Sequence, residues 1–218
     1  MNFLTHGFEL VENIPPPNDI DNIHRDIDQL QECDSAGIRH ADTKLSTLQQ
    51  LAQSAPVLQL AEYYMQDKPQ LMRCILFNKT AGQNWLVSWH QDKTLCMPRK
   101  FSHQDWGPWS IKDGSHHVQP PTNILNQMVT LRFHLDDNHH ENGCLKVLPG
   151  SHNNGILSTQ QIHALSEEIL PVYCLAPKRS ALVMKPLLVH ASSKATKPDR
   201  RRVIHMEFAP VELISAYL

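Results

Sequence analysis

The chain has little that would staple a small secreted fold or carry it into a membrane. Its five cysteines, Cys33, Cys74, Cys96, Cys144 and Cys174, are odd in number, scattered, and form no C-x-x-C pair. That argues against a disulfide framework and against a structural zinc site. They read instead as small buried hydrophobes in a reducing compartment. No apolar run approaches the ~20 residues of a membrane span. The opening "MNFLTHGFELVENIPPP" has neither a basic leader nor a long apolar stretch, so no membrane is expected as a partner. Excess charge is equally scarce: a net −2 with neutral histidines gives no long-range reason to bind nucleic acid. What remains is a cytoplasmic protein. Its 218 residues, 41% of them hydrophobic, suffice for one domain, 1–218, with a sizeable core.

Internal repeats and low-complexity linkers are also missing, so organisation must be read from periodicity. After "PPPND", Ile20, Ile23, Ile27 and Leu30 recur at helical spacing, with Asn18 or Asp19 as N-cap. "DTKLSTLQQLAQ" and "PVLQLAEYYMQ" continue a helical layer over 1–70. From Leu71 the pattern changes to short strands: "LMRCILFNKT", "NWLVSWHQD", "NQMVTLRFHLDD", "GCLKVLPG" after a turn at Asn142-Gly143, "PVYCLA", "SALVMK" and "RRVIHMEF". One late helix, "STQQIHALSEE", starts at Ser158. Helices followed by many short strands suggest a barrel or a double-sheet jelly roll with helices packed outside. The segment 96–121, rich in proline and tryptophan, reads as a long loop of the kind used as a lid.

Histidine is abundant: fourteen are more than one site can use, so the task is to choose among them. In "NWLVSWHQDKTL", His90 and Asp92 stand two apart after an alternating run. In a strand that spacing turns both side chains to one face. One His and one Asp hold a transition metal weakly. Two His and one carboxylate form the facial arrangement of non-haem Fe(II) oxygenases. His190, at the end of an apolar strand, "ALVMKPLLVH", is the candidate third ligand. Arg200, Arg201 and Arg202 follow it, and an arginine there can bind a carboxylate bidentately.

These residues resemble the phytanoyl-CoA dioxygenase family of Fe(II)/2-oxoglutarate oxygenases. "WHQD" resembles its His-x-Asp motif, "NGCLKVLPGSHNNGIL" its "NGxLxVxPGSHxxG" segment, and "HASSKATKPDRRR" its distal histidine with an arginine eleven residues on. The resemblance implies a mainly β, cupin-like double-stranded β-helix over 71–218, buttressed by helices over 1–70. It implies Fe(II) on His90, Asp92 and His190, with 2-oxoglutarate and O₂ as cosubstrates. Arg201 and Ser192 would hold the distal carboxylate of 2-oxoglutarate, and Asn78 or Lys79 would reach its other end. Some relatives lack the carboxylate ligand and bind halide instead; Asp92 points to hydroxylation. A non-catalytic metabolite sensor on the same fold is the rival reading, and a desaturase or epimerase with the same iron site is another.

Substrate contacts are expected from Trp106, Trp109 and Lys112 in the 96–121 segment and from Arg132, which shares a strand face with Thr130 and His134. His152 in "PGSH" reads as structural, and His139 and His140 as a solvated hairpin tip. His205 is not expected to ligate metal.

Overall fold

The computed structural model describes residues 2–30, 37–197 and 199–217; Cys33 and its reading lie outside them. The N-terminal part contains α1 (Phe3–His6), β1 (Phe8–Val11), α2 (Pro17–Gln29), β2 (Gly37–Arg39), α3 (Ala41–Lys44), α4 (Ser46–Gln53) and α5 (Ala55–Met65). Next come β3 (Pro69–Lys79), β4 (Val87–His90), β5 (Leu95–Met97), β6 (Trp109–Lys112), β7 (Ser115–Val118), α6 (Thr122–Gln127) and β8 (Val129–His134). The last third holds β9 (Leu145–Val147), α7 (Thr159–Glu168), β10 (Val172–Tyr173), β11 (Ala181–Met184), β12 (His190–Ser192), β13 (Arg201–Pro210) and α8 (Val211–Ile214).

A six-stranded sheet in the order β1-β11-β8-β13-β3-β2 faces a four-stranded sheet in the order β10-β9-β12-β4, with every pairing antiparallel. This is the jelly-roll architecture expected. The helical layer packs on the outer face of the larger sheet. Ile20, Ile23 and Ile27 from α2, Leu48 and Leu51 from α4 and Val57 from α5 join Leu76, Phe133, Ile204 and Phe208 in one buried cluster. Each such side chain contributes about 1.5–3 kcal/mol on burial. Arg73, Ile75 and Phe77 of β3 and Arg201 and His205 of β13 face the other way, into the space between the sheets.

Several local expectations are corrected. The first 70 residues are not purely helical: β1 and β2 supply both edges of the large sheet. Helix α2 begins at Pro17 with Pro16 as N-cap, not Asn18 or Asp19, because proline's fixed φ suits the first helical turn. The run "ALVMKPLLVH" is not one strand. β11 ends at Met184, and His190 opens β12 in the opposite sheet. The turn at Asn142-Gly143 does not close a hairpin either. It carries the chain from β8 in one sheet to β9 in the other, through a short 3₁₀ turn ending at Gly143. Ser158 does cap α7, in a capping box with Gln161.

The 96–121 segment is also not an irregular loop. β5, β7 and β6 form a small antiparallel sheet of their own. Leu95, Met97 and Val118 point into a second core with Trp106. Trp106 is 5% exposed, and its ring lies 5.0 Å from Phe101 and 4.6 Å from Tyr217. Trp106→Ala is therefore expected to cost ~3–5 kcal/mol of stability. A denaturant titration checks this.

Candidate active site

The two sheets enclose a cavity of about 480 Å³. His90 and His190 are cross-strand partners in the β4–β12 pair, with ring centroids 4.2 Å apart. Each Nδ1 lies 2.8 Å from the carbonyl oxygen two residues earlier, Ser88 for His90 and Leu188 for His190. A carbonyl only accepts, so each Nδ1 carries the proton and each Nε2 presents a lone pair. Burial pushes His190 down to about 3, which keeps that lone pair available at neutral pH. Asp92 lies just past the end of β4, with its N–H donating to the Pro186 carbonyl at 2.9 Å. Its Oδ2 is 3.6 Å from His190 Nε2 and is buried without a hydrogen-bond partner. One ligand atom from each of His90, Asp92 and His190 falls within 4.8 Å of the others. Two imidazole lone pairs and an orphaned carboxylate oxygen converging in this way fit a divalent metal.

A second acidic group shares Asp92: His205 and Glu207 on β13 also come within metal-ligand reach of it. Their atoms are already engaged. His205 Nε2 donates to Glu207 Oε1 at 2.9 Å, and its Nδ1 accepts from Arg132 at 2.8 Å. Glu207 also takes a tight ion pair with Arg73, and Arg73 reaches Asp92 Oδ1 at 3.7 Å. Burial opposes ionisation of Asp92, but the positive charge beside it, with Arg73 3.7 Å from Oδ1, holds the carboxyl well below the usual range.

Loop hydrogen bonds set the two strands that carry His90 and His190. Gln91, between the ligands, donates to Gly155 and Leu187 and accepts from Leu157, all within 2.9 Å. Ser151 of the "PGSH" segment accepts from the N–H of Val189 at 2.8 Å, beside His190. His152 packs against the N-terminal segment, 3.3 Å from the Leu4 carbonyl, in keeping with a structural role. Sequence reasoning missed Gln91, Arg73 and Glu207. No local signal pointed to the last two, whose contact joins positions 134 residues apart.

Of the three arginines, Arg201 lines the cavity with Ser192. Arg200 pairs with Asp28 at 2.5 Å, and Arg202 makes a two-pronged contact with Asp136 at 2.7 and 2.9 Å. Arg201 is 4% exposed. Its Nη1 is 3.3 Å from Asn138 Oδ1, and its Nε has no partner. Burial and nearby Arg132 push it down to about 10, so it stays cationic at neutral pH. Ser192 Oγ donates to the Gly143 carbonyl at 2.8 Å. Lys79 Nζ donates to the Ser193 carbonyl at 2.8 Å and lies 3.5 Å from Ser192 Oγ, behind the cavity wall. Asn78 does not come to the site: it projects to the helical side, within 3.3 Å of Arg200. Lys112 and Arg132 line the cavity, whereas Trp106 and Trp109 do not. Trp109 packs against Phe101, ring centroids 5.1 Å apart.

Gly143 explains the glycine in "NGCLKV". Its φ is +70°, and an added Cβ would sit 2.4 Å from the Ser193 carbonyl oxygen and 3.0 Å from Lys79 Nζ. Gly150 has a similar φ of +78°, but a Cβ there meets nothing closer than 3.6 Å. Gly150→Ala should cost ~1–2 kcal/mol from backbone strain alone. Gly143→Ala should cost clearly more, because backbone must also move. Paired denaturant titrations compare the two.

The sequence pattern of the phytanoyl-CoA dioxygenase family (PhyH) matches residues 3–203. Comparison with curated protein sequences returns no match. Among solved structures, EctD from S. alaskensis with 2-oxoglutarate and 5-hydroxyectoine superposes with a TM-score of 0.71 at 16% identity, covering 96% of this chain and 74% of that one. The non-heme alpha ketoglutarate dependent carbocyclase SnoK from nogalamycin biosynthesis gives 0.74 at 12%, covering 96% and 81%. HygX from Streptomyces hygroscopicus, with nickel and 2-oxoglutarate bound, gives 0.68 at 13%, covering 95% and 84%. At such identities these likenesses speak for the fold; the family pattern, spanning nearly the whole chain, speaks for descent. The chain therefore belongs to the phytanoyl-CoA dioxygenase family of Fe(II)- and 2-oxoglutarate-dependent oxygenases.

Proposed function

We propose that this chain is a hydroxylase of a small molecule, holding Fe(II) on His90, Asp92 and His190. The observation that carries the reading is the convergence of two imidazole lone pairs and an orphaned Asp92 oxygen in a cavity that also holds a buried Arg201. Bound Fe(II) with 2-oxoglutarate supplies the O₂ activation and hydrogen-atom removal that side chains alone do not provide. The balanced reaction is R–H + O₂ + 2-oxoglutarate → R–OH + succinate + CO₂.

The chain's own work is orientation. Arg201 receives the distal carboxylate of 2-oxoglutarate, and Ser192 turns its hydroxyl from Gly143 to the same group. Lys79 backs Ser192 from behind the wall. Arg73 steadies Asp92 from the side away from the histidines, and Glu207 holds Arg73 in turn. Ile75, Phe77, Val87 and Leu145 give the cavity apolar walls that limit water near the reacting carbon. The lid role narrows to the β6–β7 hairpin, whose Lys112 stands at the mouth.

Hydroxylation is favoured because it asks least of the protein. Epimerisation needs a second hydrogen donor, and cyclisation needs a second substrate group held in reach. Asp92 also occupies the position that a halogenase leaves open for chloride. Turnover under ¹⁸O₂ with chloride present tests this: the product should gain one oxygen atom and succinate one ¹⁸O. A chlorinated product, or one with no added oxygen, would overturn the hydroxylase reading.

A further inference from the structure

The charge of the cavity wall goes beyond what iron and 2-oxoglutarate require. Five cationic side chains line it, Arg39, Arg73, Lys112, Arg132 and Arg201, against one carboxylate, Asp92. Two of the five are locally answered: Arg39 by Asp113 at 2.6 Å and Arg73 by Glu207. Among the described residues no carboxylate pairs with Lys112, Arg132 or Arg201.

Arg132 is the most telling. It is 6% exposed, and its one hydrogen-bond partner is the neutral Nδ1 of His205. Its Nε is buried with no partner, and its Cζ lies over the Phe77 ring at 5.5 Å. A buried guanidinium without an anion is costly, so such a group is normally matched by a ligand that brings the missing charge. 2-Oxoglutarate brings two carboxylates: the distal one is assigned above to Arg201, and the one beside its keto group would bind the metal itself. Arg132 is left over. It stands on the metal side, because His205, its cross-strand partner, lies 3.7 Å from Asp92. Lys112, at the mouth, adds a solvated cation that attracts the same kind of charge.

We propose that the substrate carries an oxyanion, a carboxylate or a phosphate monoester, which ion-pairs with Arg132 inside the cavity and is drawn in by Lys112. The inference rests on the cosubstrate assignment to Arg201 and names the substrate class for that same site.

The test uses full-length protein loaded with Mn(II) and saturating 2-oxoglutarate. Matched probes are titrated calorimetrically: carboxylic acids against their primary amides, phosphate monoesters against their free alcohols, and inorganic phosphate alone. At least one charged member should bind about tenfold tighter than its neutral partner. The winning arm identifies the source of the oxyanion. Arg132→Met should abolish that preference. Lys112→Met, at an exposed position and safe for folding, should weaken the charged probe several-fold at low salt and little at high salt. The proposal is overturned if no charged probe outbinds its neutral partner, or if the preference survives Arg132→Met. It is also overturned if Arg132→Met weakens 2-oxoglutarate and leaves the preference intact, since Arg132 would then serve the cosubstrate. Failure of 2-oxoglutarate itself to bind would count against the underlying reading; 2-oxoglutarate bound beside charge-blind probes would count against this inference alone.

Discussion

Arg201→Ala is expected to raise the Kd for 2-oxoglutarate by ~30- to 1,000-fold, about 2–4 kcal/mol. The size follows from burial. Arg201 is almost fully enclosed, has a free Nε, and stays cationic, so its pairing with a carboxylate is poorly screened by water. The neighbouring arginines are built-in controls. Arg200 is committed to Asp28 and Arg202 to Asp136 on the helical side of the sheet. Arg200→Ala and Arg202→Ala should leave cosubstrate affinity near that of the parent protein, although Arg202→Ala loses a two-pronged ion pair and some stability. Arg201→Lys should recover only part of the loss, since an ammonium cannot reproduce the planar fork. Calorimetric titration of 2-oxoglutarate into the Mn(II)-loaded variants measures all four. A larger effect at Arg200 or Arg202 would move the cosubstrate to another register of β13.

His190→Ala should weaken Fe(II) binding by more than ~100-fold, since loss of an outer partner of a metal ligand alone costs 10- to 100-fold. Asp92→Ala should do the same. His205→Ala is the discriminating comparison, because Asp92, His205 and Glu207 form an alternative set. His205 has both ring nitrogens engaged and Glu207 is held by Arg73, whereas His90 and His190 keep Nε2 free. His205→Ala should therefore retain tight Fe(II) binding. Equilibrium competition against a chelator measures the three constants.

The convergence of His90, Asp92 and His190 was legible in the sequence because a shared site of this kind constrains their spacing. His90 and Asp92 must be close in the chain to converge from one strand end, and Asp92 does so from the turn just beyond β4. Arg201 was legible through its distance from His190, which spans β12 and the return to β13. The second layer was harder. β3 carries apolar residues on both faces: Cys74 and Leu76 toward the helices, Ile75 and Phe77 toward the cavity. A strand buried on both sides gives no alternation to choose a face by, so Asn78 was placed inward when it points outward. Arg73 and Glu207 were hidden for the same reason, since their partners lie 134 residues apart. The 96–121 segment misled because its prolines and tryptophans suggest a loop. Its strands are three or four residues long and pair only with one another.

Anaerobic addition of Fe(II) and then 2-oxoglutarate, followed by visible absorption, tests the central claim most directly. A charge-transfer band should appear only when both are present, saturate at one equivalent of each, vanish in His190→Ala, and need far more 2-oxoglutarate in Arg201→Ala. No band in the parent protein, or a band indifferent to His190, would contradict the account.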